Sequence, residues 1–156
     1  MVLRGPPLLF LLIIFALPLA RGRFVTVYDA GEQEGLAYIA MEYLEGTLLS
    51  CYCQKSTLLP AKQALQIVAT VADALDYAHS QGVIHRDVKP ENIMLERGTG
   101  RVTVTDFGIA RDVRASALTA GGMVMGSVHY MSPEQVAGTE IDGRSDLYAL
   151  GVVAFQ

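Results

Sequence analysis

The sequence contains no tryptophan and only two cysteines, Cys51 and Cys53, among its 156 residues. Two cysteines placed two positions apart cannot build the set of disulfides on which small secreted domains depend, and they cannot supply a zinc quartet. We therefore expect reduced thiols in a cytosolic compartment. Both side chains are predicted to fill space in the core or at the surface and not to bind a metal.

An excess of basic residues is also lacking. Lys and Arg number 12 and Asp and Glu number 16, which gives a formal net charge of −4. A general nucleic-acid binder usually presents a basic face, so the composition argues against that class of protein. Hydrophobic residues make up 51% of the chain and charged residues 18%, which excludes a disordered protein and allows one globular domain.

A long apolar run occurs at the N-terminus, where Gly5–Ala20 has no charge and Leu8–Ala20 reads "LLFLLIIFALPLA". Three interpretations stay open. A secretory signal fits the basic start, although Pro18 would occupy the −3 position of a cut after Ala20. A membrane anchor would need about 20 apolar residues. The third interpretation is a non-native leader. Because the composition changes after this run, we divide the chain into a leader, 1–23, and a domain, 24–156.

Alternating and periodic patterns begin after the leader. Phe24–Tyr28 and Gly35–Leu44 are predicted to be paired strands, and Glu45–Lys55 is predicted to contain a short helix. The strongest helix is predicted to start at Pro60 and to stop at Gly82. Its apolar face is predicted from residues that recur at spacings of three and four: Leu65, Val68, Ala72, Leu75 and His79.

Two short motifs contain the residues that chemistry would need. Residues 85–92 read His-Arg-Asp-Val-Lys-Pro-Glu-Asn, and Asp106-Phe107-Gly108 begins fourteen residues after Asn92. Phosphoryl transfer from a nucleotide needs a carboxylate for the attacking hydroxyl, oxygen ligands for Mg²⁺ and a lysine that offsets phosphate charge. The intervening Glu96–Arg101 is a predicted hairpin turn and not a phosphate loop, because no further glycine and no helix follow it.

The order of these motifs resembles the serine/threonine protein kinases of the eukaryotic-like type, especially the bacterial ones. The matching segments are "VTVYDAGEQEGLAYIAMEYLEG", "HRDVKPENIML", "DFGIAR", "GSVHYMSPEQ" and "DGRSDLYALGVV". The resemblance covers Phe24–Gln156. It implies an α+β fold that comprises the end of the β-rich small lobe, the hinge and the first part of the helical large lobe.

The resemblance implies a role for each residue of the catalytic motifs. Asp87 matches the catalytic base, and Lys89 matches the lysine that contacts the γ-phosphate in Ser/Thr kinases. Asn92 and Asp106 match the Mg²⁺ ligands, so ATP and Mg²⁺ are the implied cofactors and a protein Ser/Thr is the implied substrate. Arg86 matches the cation that pairs with a phosphorylated activation segment. The kinase portion would be cytoplasmic, with membrane association only through the leader.

Further matches concern the adenine pocket. Met41 corresponds to the gatekeeper, Glu42 and Leu44 to the hinge residues whose backbone binds adenine, and Met94 to the floor of the pocket. For Met41 and Met94, simple core packing is the alternative.

The activation segment and the supports of the catalytic loop can also be matched. Ser116 and Thr119 are candidate phosphorylation sites, and Ser127 occupies the position that contacts the catalytic Asp and Lys. His85 is expected to lie under Phe107. One further match lies in the last helix, where Asp146 corresponds to the residue that caps the backbone of the catalytic loop.

Some kinase elements are not found in the sequence. Its three lysines are Lys55, Lys62 and Lys89, so no lysine precedes the hinge, and no G-x-G-x-x-G occurs near the start. We therefore expect a kinase fragment that is inactive by itself, with Glu134 lacking a buried arginine partner. The alternative is a pseudokinase-like remnant or an interaction piece that inherited the motifs without catalysis.

Overall fold

The computed structural model describes residues 22–33, 36–107 and 127–156, in which strands precede and interrupt the helices. The strands are β1 (Val27–Gln33), β2 (Leu36–Met41), β3 (Gly46–Leu48), β4 (Ile93–Glu96) and β5 (Val102–Val104). The α-helices are α1 (Ala61–Ser80), α2 (Pro133–Ala137) and α3 (Gly143–Phe155). Short 3₁₀ turns span Leu49–Tyr52, Pro90–Asn92 and Ser127–Tyr130. This composition confirms the predicted α+β fold.

The strands form two separate antiparallel sheets. β1 and β2 pair as a hairpin, and β3, β4 and β5 form a three-stranded sheet in that order. The predicted hairpin partners are thus confirmed, but the first strand begins at Val27 and not at Phe24. Phe24 instead forms an isolated parallel bridge with Val104 of β5 and is buried. The start of the described chain therefore packs beside the strand that leads to Asp106.

The connection between β4 and β5 is the predicted hairpin turn. Glu96 N–H donates to Arg101 O at 2.9 Å, and Gly98 and Gly100 have φ values of +82° and +66°. Such left-handed backbone favours glycine, which explains the residue types at these two positions.

Helix α1 forms where it was predicted, with Pro60 as its N-cap and Gly82, at φ +75°, in the turn that ends it. The predicted buried face is wrong in part, since Leu65 is 67% exposed. The buried face consists of Ile67, Val71, Ala74, Leu75 and Ala78. Val68 and Ala72 lie at its margin, where they pack partly buried against the core.

The predicted helix in Glu45–Lys55 is shorter than expected. Strand β3 takes the first part of this segment, and the 3₁₀ turn Leu49–Tyr52 follows it. Leu49 points into the core, whereas Cys51 is exposed and Cys53 is partly buried. Pairing of β3 with β4 offers the backbone of this segment a sheet partner that a local sequence pattern does not reveal.

One hydrophobic core joins α1, α3, β4 and β5. Helix α1 packs against α3 on one side and against β5 on another. The core residues come from α1, α3, β4, β5 and the segments that precede or connect them: Phe24, Leu49, Val71, Leu75, Val88, Ile93, Val104, Phe107, Leu150 and Val153 among them. Within the described residues, no helix is both long enough and apolar enough to cross a membrane.

The two leucines of α1 allow a direct test of this packing. Leu75→Ala should lower the free energy of unfolding by about 2–5 kcal/mol, because its side chain is fully buried. Leu65→Ala, the matched control on the exposed face, should change it by no more than about 0.5 kcal/mol. Urea denaturation followed by circular dichroism measures both. Equal losses in the two variants would contradict the assignment of the buried face.

Candidate active site

Three polar side chains of the HRD loop, defined here as residues 85–92, meet at Asp87. Lys89 Nζ donates to Asp87 Oδ2 at 2.8 Å. Asn92 Nδ2 donates to the backbone oxygen of Asp87 at 2.8 Å and to its Oδ2 at 3.1 Å. Asn92 is buried, and Asp87 and Lys89 are partly exposed. The carboxylate of Asp87 is therefore fixed in orientation while it stays accessible from solvent.

The residue before Asp106, Thr105, forms hydrogen bonds with two residues of the HRD loop. Thr105 N–H donates to Asn92 O at 2.9 Å, and Thr105 O lies 3.0 Å from His85 Nε2. Asp106 itself is exposed and has a left-handed backbone, with φ +54°. The structure thus links both predicted carboxylate positions, Asp87 and Asp106, to the same histidine and the same asparagine.

His85 is fully buried beneath the ring of Phe107, with 4.6 Å between ring centroids. The ring of Phe24 also contacts the ring of Phe107, edge-on and with 5.0 Å between the ring centroids. The predicted contact between His85 and Phe107 is thus present. Burial lowers the pKa of His85, although the nearby carboxylates of Asp146, Asp87 and Asp106 oppose that shift.

The hydrogen bonds of His85 are those of a neutral ring. Nε2 faces the carbonyl oxygen of Thr105, which can only accept, so Nε2 bears the proton. Nδ1 then accepts from the backbone N–H of Asp87 at 3.2 Å. This tautomer connects Asp87 to the segment before Asp106.

The carboxylate of Asp146 supports the other side of the HRD loop. Its Oδ2 accepts from His85 N at 2.8 Å, and its Oδ1 accepts from Arg86 N at 2.7 Å. His79 Nε2 of α1 lies 2.8 Å from Oδ2. Asp146 is 1% exposed, so these contacts replace the water that a buried carboxylate loses. The predicted capping of the loop by Asp146 is therefore present in the structure.

Two residues at this site were not predicted from the sequence. His79, expected on the apolar face of α1, instead contacts Asp146. A Cβ at Gly143 would lie only 2.6 Å from His79 Nδ1, so the close approach of α3 to His79 requires glycine at this position. Gln135 belongs to a capping box with Ser132 and also donates from Nε2 to Arg86 O at 2.9 Å. A Ser followed three residues later by Gln is a recognised start of a helix, so the cap could have been found from the sequence.

Glu134 contacts a serine and not the arginine that the resemblance would place there. Its carboxylate is partly exposed and accepts a hydrogen bond from Ser145 Oγ of α3. That hydrogen bond lowers the pKa of Glu134. The cost of an unpaired buried charge therefore does not arise here, because Glu134 is neither fully buried nor unpaired.

The predicted adenine-pocket residues lie along β2, β4 and the segment after β2. Met41 is 40% exposed, which excludes core packing for its side chain. Met94 is partly buried in β4, the middle strand of the three-stranded sheet. Glu42 N–H donates to Thr26 O at 2.7 Å, and its carboxylate pairs with Arg101 at 3.2 Å. Leu44 is partly buried.

The predicted activation-segment residues are only partly described. Ser116 and Thr119 lie outside the described residues. Ser127 begins the 3₁₀ turn Ser127–Tyr130, which precedes α2. Among the described residues, no group of three or more His, Cys, Asp or Glu side chains is arranged to bind a metal ion.

Comparison with known proteins gives the class to which this fold and site belong. The chain belongs to the protein kinase domain family, whose model matches residues 18–156. It is 43% identical over 132 residues to the serine/threonine-protein kinase PrkC of Bacillus subtilis, covering 85% of this chain and 20% of that protein. It is 45% identical over 137 residues to the serine/threonine-protein kinase PknB of Mycobacterium leprae, covering 85% and 22%.

A solved structure resembles the fold as well. The PknI kinase domain of Mycobacterium tuberculosis matches with a TM-score of 0.72 and 37% identity, covering 90% of this chain and 51% of that domain. The chain thus spans about a fifth of the length of the curated relatives and about half of a solved kinase domain. These matches confirm the predicted resemblance to bacterial Ser/Thr kinases and the partial kinase fold.

The neutral state of His85 leads to a prediction about pH. Because its pKa is lowered in the folded chain, the unfolded chain binds more protons as the pH falls through about 6.5. The free energy of unfolding should therefore decrease between about pH 7.5 and 5.5, with a slope of at most about 1.4 kcal/mol per pH unit. The carboxyl groups with lowered pKa, such as Glu134, contribute only at lower pH.

Urea titrations at several pH values measure this slope. His85→Gln should flatten the slope whatever it does to the stability itself. The matched control is His129→Gln at an exposed position, which should leave the slope as it is. An unchanged slope in His85→Gln would contradict the neutral buried state of His85.

Proposed function

We propose that this chain contains the catalytic residues of a serine/threonine protein kinase, which transfers the γ-phosphoryl group of ATP to a protein hydroxyl. The observation that supports this most is the orientation of Asp87 by Lys89 and Asn92 within a loop that the buried Asp146 holds. Membership of the protein kinase family agrees with it.

Asp87 acts as the base in this proposal. The substrate hydroxyl donates its proton to Asp87 while its oxygen bonds to phosphorus, and the bond from phosphorus to the bridging oxygen of ADP breaks. Asn92 fixes the direction of the carboxylate, and Lys89 offsets negative charge next to it. A positioned carboxylate and a nearby cation suit this reaction because its catalysis consists mainly of positioning and electrostatic stabilisation.

The oxygen atoms of Asn92 and Asp106 fit a hard cation such as Mg²⁺. The amide nitrogen of Asn92 donates both of its hydrogen bonds to Asp87. The amide oxygen of Asn92 therefore points away from Asp87. Asp106 is exposed, and its carboxylate adds a second oxygen ligand. When bound, Mg²⁺ supplies charge neutralisation for the phosphates, and its few protein ligands agree with the preference of Mg²⁺ for water and phosphate oxygens.

Met41, Glu42, Leu44 and Met94 form the adenine pocket in this proposal. The exposure of Met41 and the intermediate burial of Leu44 and Met94 support accessible apolar surface for a flat base. Arg86 would pair with a phosphate at Thr119 or Ser116, and Ser127, in the loop that faces the substrate, would contact Asp87 and Lys89. The kinase portion would work in the cytoplasm, where ATP is available.

Mutation of Asp87 tests the role of the base. In a kinase domain of the length of the solved relative that includes residues 24–156, Asp87→Asn should lower phosphate transfer by about 10²–10⁴-fold while ATP binding changes little. The matched control is Asp76→Asn, at an exposed position of α1, which should keep activity. The measurement is transfer of radiolabelled phosphate from ATP to a protein substrate.

The same assay tests the proposal itself. The 156-residue chain alone should show no transfer, because it has no lysine before Lys55 to bind the α- and β-phosphates. Transfer by the longer domain supports the proposed function. A longer domain that binds ATP but transfers nothing would instead favour the pseudokinase-like alternative, and full activity of Asp87→Asn would refute the role of the base.

Nucleotide binding by the 156-residue chain should be weak and dependent on Mg²⁺. The proposed pocket and the oxygen ligands remain, but loss of one charge-assisted contact costs about 1.5–3 kcal/mol, or roughly tenfold to more than a hundredfold in affinity. Titration calorimetry with ATP, with and without Mg²⁺, measures this. Asp106→Asn should remove the Mg²⁺ dependence, and tight binding without Mg²⁺ would contradict the proposed site.

A further inference from the structure

The backbone of Arg86 is left-handed, with φ +67°, at the residue between His85 and Asp87. Arginine gains nothing from this conformation by itself, because its Cβ crowds the backbone there. Such a conformation persists only when neighbouring groups enforce it. The direction in which the side chain of Asp87 points depends on the backbone conformation of Arg86, the residue before it.

Both backbone polar groups of Arg86 are bound by side chains from other elements. Its N–H donates to Asp146 Oδ1 of α3 at 2.7 Å, and its carbonyl oxygen accepts from Gln135 Nε2 of α2 at 2.9 Å. The peptide groups on either side of Cα are therefore each fixed by a different helix. Asp146 alone would fix only the first of them.

Gln135 is itself held in one orientation. Its Oε1 accepts from Ser132 N at 3.0 Å, while its own backbone N–H donates to Ser132 Oγ at 3.4 Å. Ser132 is fully buried. The amide of Gln135 thus uses its oxygen for the cap of α2 and its nitrogen for the HRD loop, and neither bond can form if the amide is reversed.

From this geometry we propose that Gln135 is a positioning residue, which maintains the left-handed turn at Arg86 and so the orientation of Asp87. It links the start of α2 to the HRD loop, so a shift of α2 would move the carbonyl of Arg86. Only the description of Asp87 as the reacting group rests on the proposed function. The link itself consists of hydrogen bonds that can be tested without activity.

Two substitutions separate the link from the cap. Gln135→Glu keeps an oxygen for Ser132 N but removes the donor to Arg86 O, whereas Gln135→Met removes both bonds. The control is Gln66→Glu, the same chemical change on the exposed face of α1. Amide hydrogen exchange of the 156-residue chain, followed by NMR, is the measurement, with buried amides of α1 such as Leu75 as the internal reference.

Gln135→Glu should speed exchange at Arg86 and Asp87 by about threefold to tenfold relative to Leu75, as expected for the loss of one neutral hydrogen bond. The one-bond Cα–Hα coupling of Arg86, which distinguishes positive from negative φ, should shift in the same variant. Gln135→Met should add faster exchange at Ser132, and Gln66→Glu should change neither. In the unsubstituted chain, the side-chain amide protons of Gln135 should exchange more slowly than those of Gln66.

Three results would overturn the proposal. The first is wild-type exchange at Arg86 and Asp87 in Gln135→Glu, and the second is an acceleration that is equal at Arg86 and Leu75. The third, which needs no variant, is rapid exchange of the Gln135 side-chain amide in the unsubstituted chain. Because none of these measurements uses ATP, failure of the proposed kinase function would leave them unaffected.

Discussion

The carboxylate of Asp146 is the interaction on which the arrangement of the site depends. It is buried in α3, yet it accepts from the backbone of His85 and Arg86 and contacts His79 of α1. Removing a carboxylate from water is expensive unless hydrogen bonds replace the solvent, so these three contacts offset the cost of burying Asp146 in the packed helix. One side chain thereby ties two helices to the loop that contains Asp87.

The opposite side of the loop is held by apolar and ring contacts. His85 lies between the backbone bonds to Asp146 and the ring of Phe107, and Phe107 in turn packs on Phe24. Phe24 reaches this position because its backbone pairs with Val104 at the end of β5. The neutral ring of His85 then connects Asp87 to Thr105. The HRD loop and the segment that begins at Asp106 are therefore held at a fixed distance from each other.

The sequence was informative where function depends on linear motifs. Asp87, Lys89 and Asn92 lie within six residues, so their proximity followed from spacing, and the contacts of Asp146 and of His85 with Phe107 followed from the family resemblance. The predicted buried face of α1 was partly wrong because a second set of apolar residues, Ile67, Val71, Ala74 and Ala78, also recurs at spacings of three and four. The spacing alone therefore does not decide which face packs against the core. The partner of Glu134 and the bond from Gln135 to Arg86 join residues of different elements, which no periodicity encodes.

Two non-glycine residues with positive φ, Arg86 and Asp106, flank the cluster around Asp87. Each conformation costs of order 1–3 kcal/mol, which is large beside the total stability of a domain of about 5–15 kcal/mol. At Arg86 the cost is offset by bonds to both of its backbone polar groups. At Asp106 the preceding residue is anchored through Asn92 and His85, and the following residue, Phe107, is buried in the core. The loop geometry is thus specified by its surroundings and not by local backbone preference.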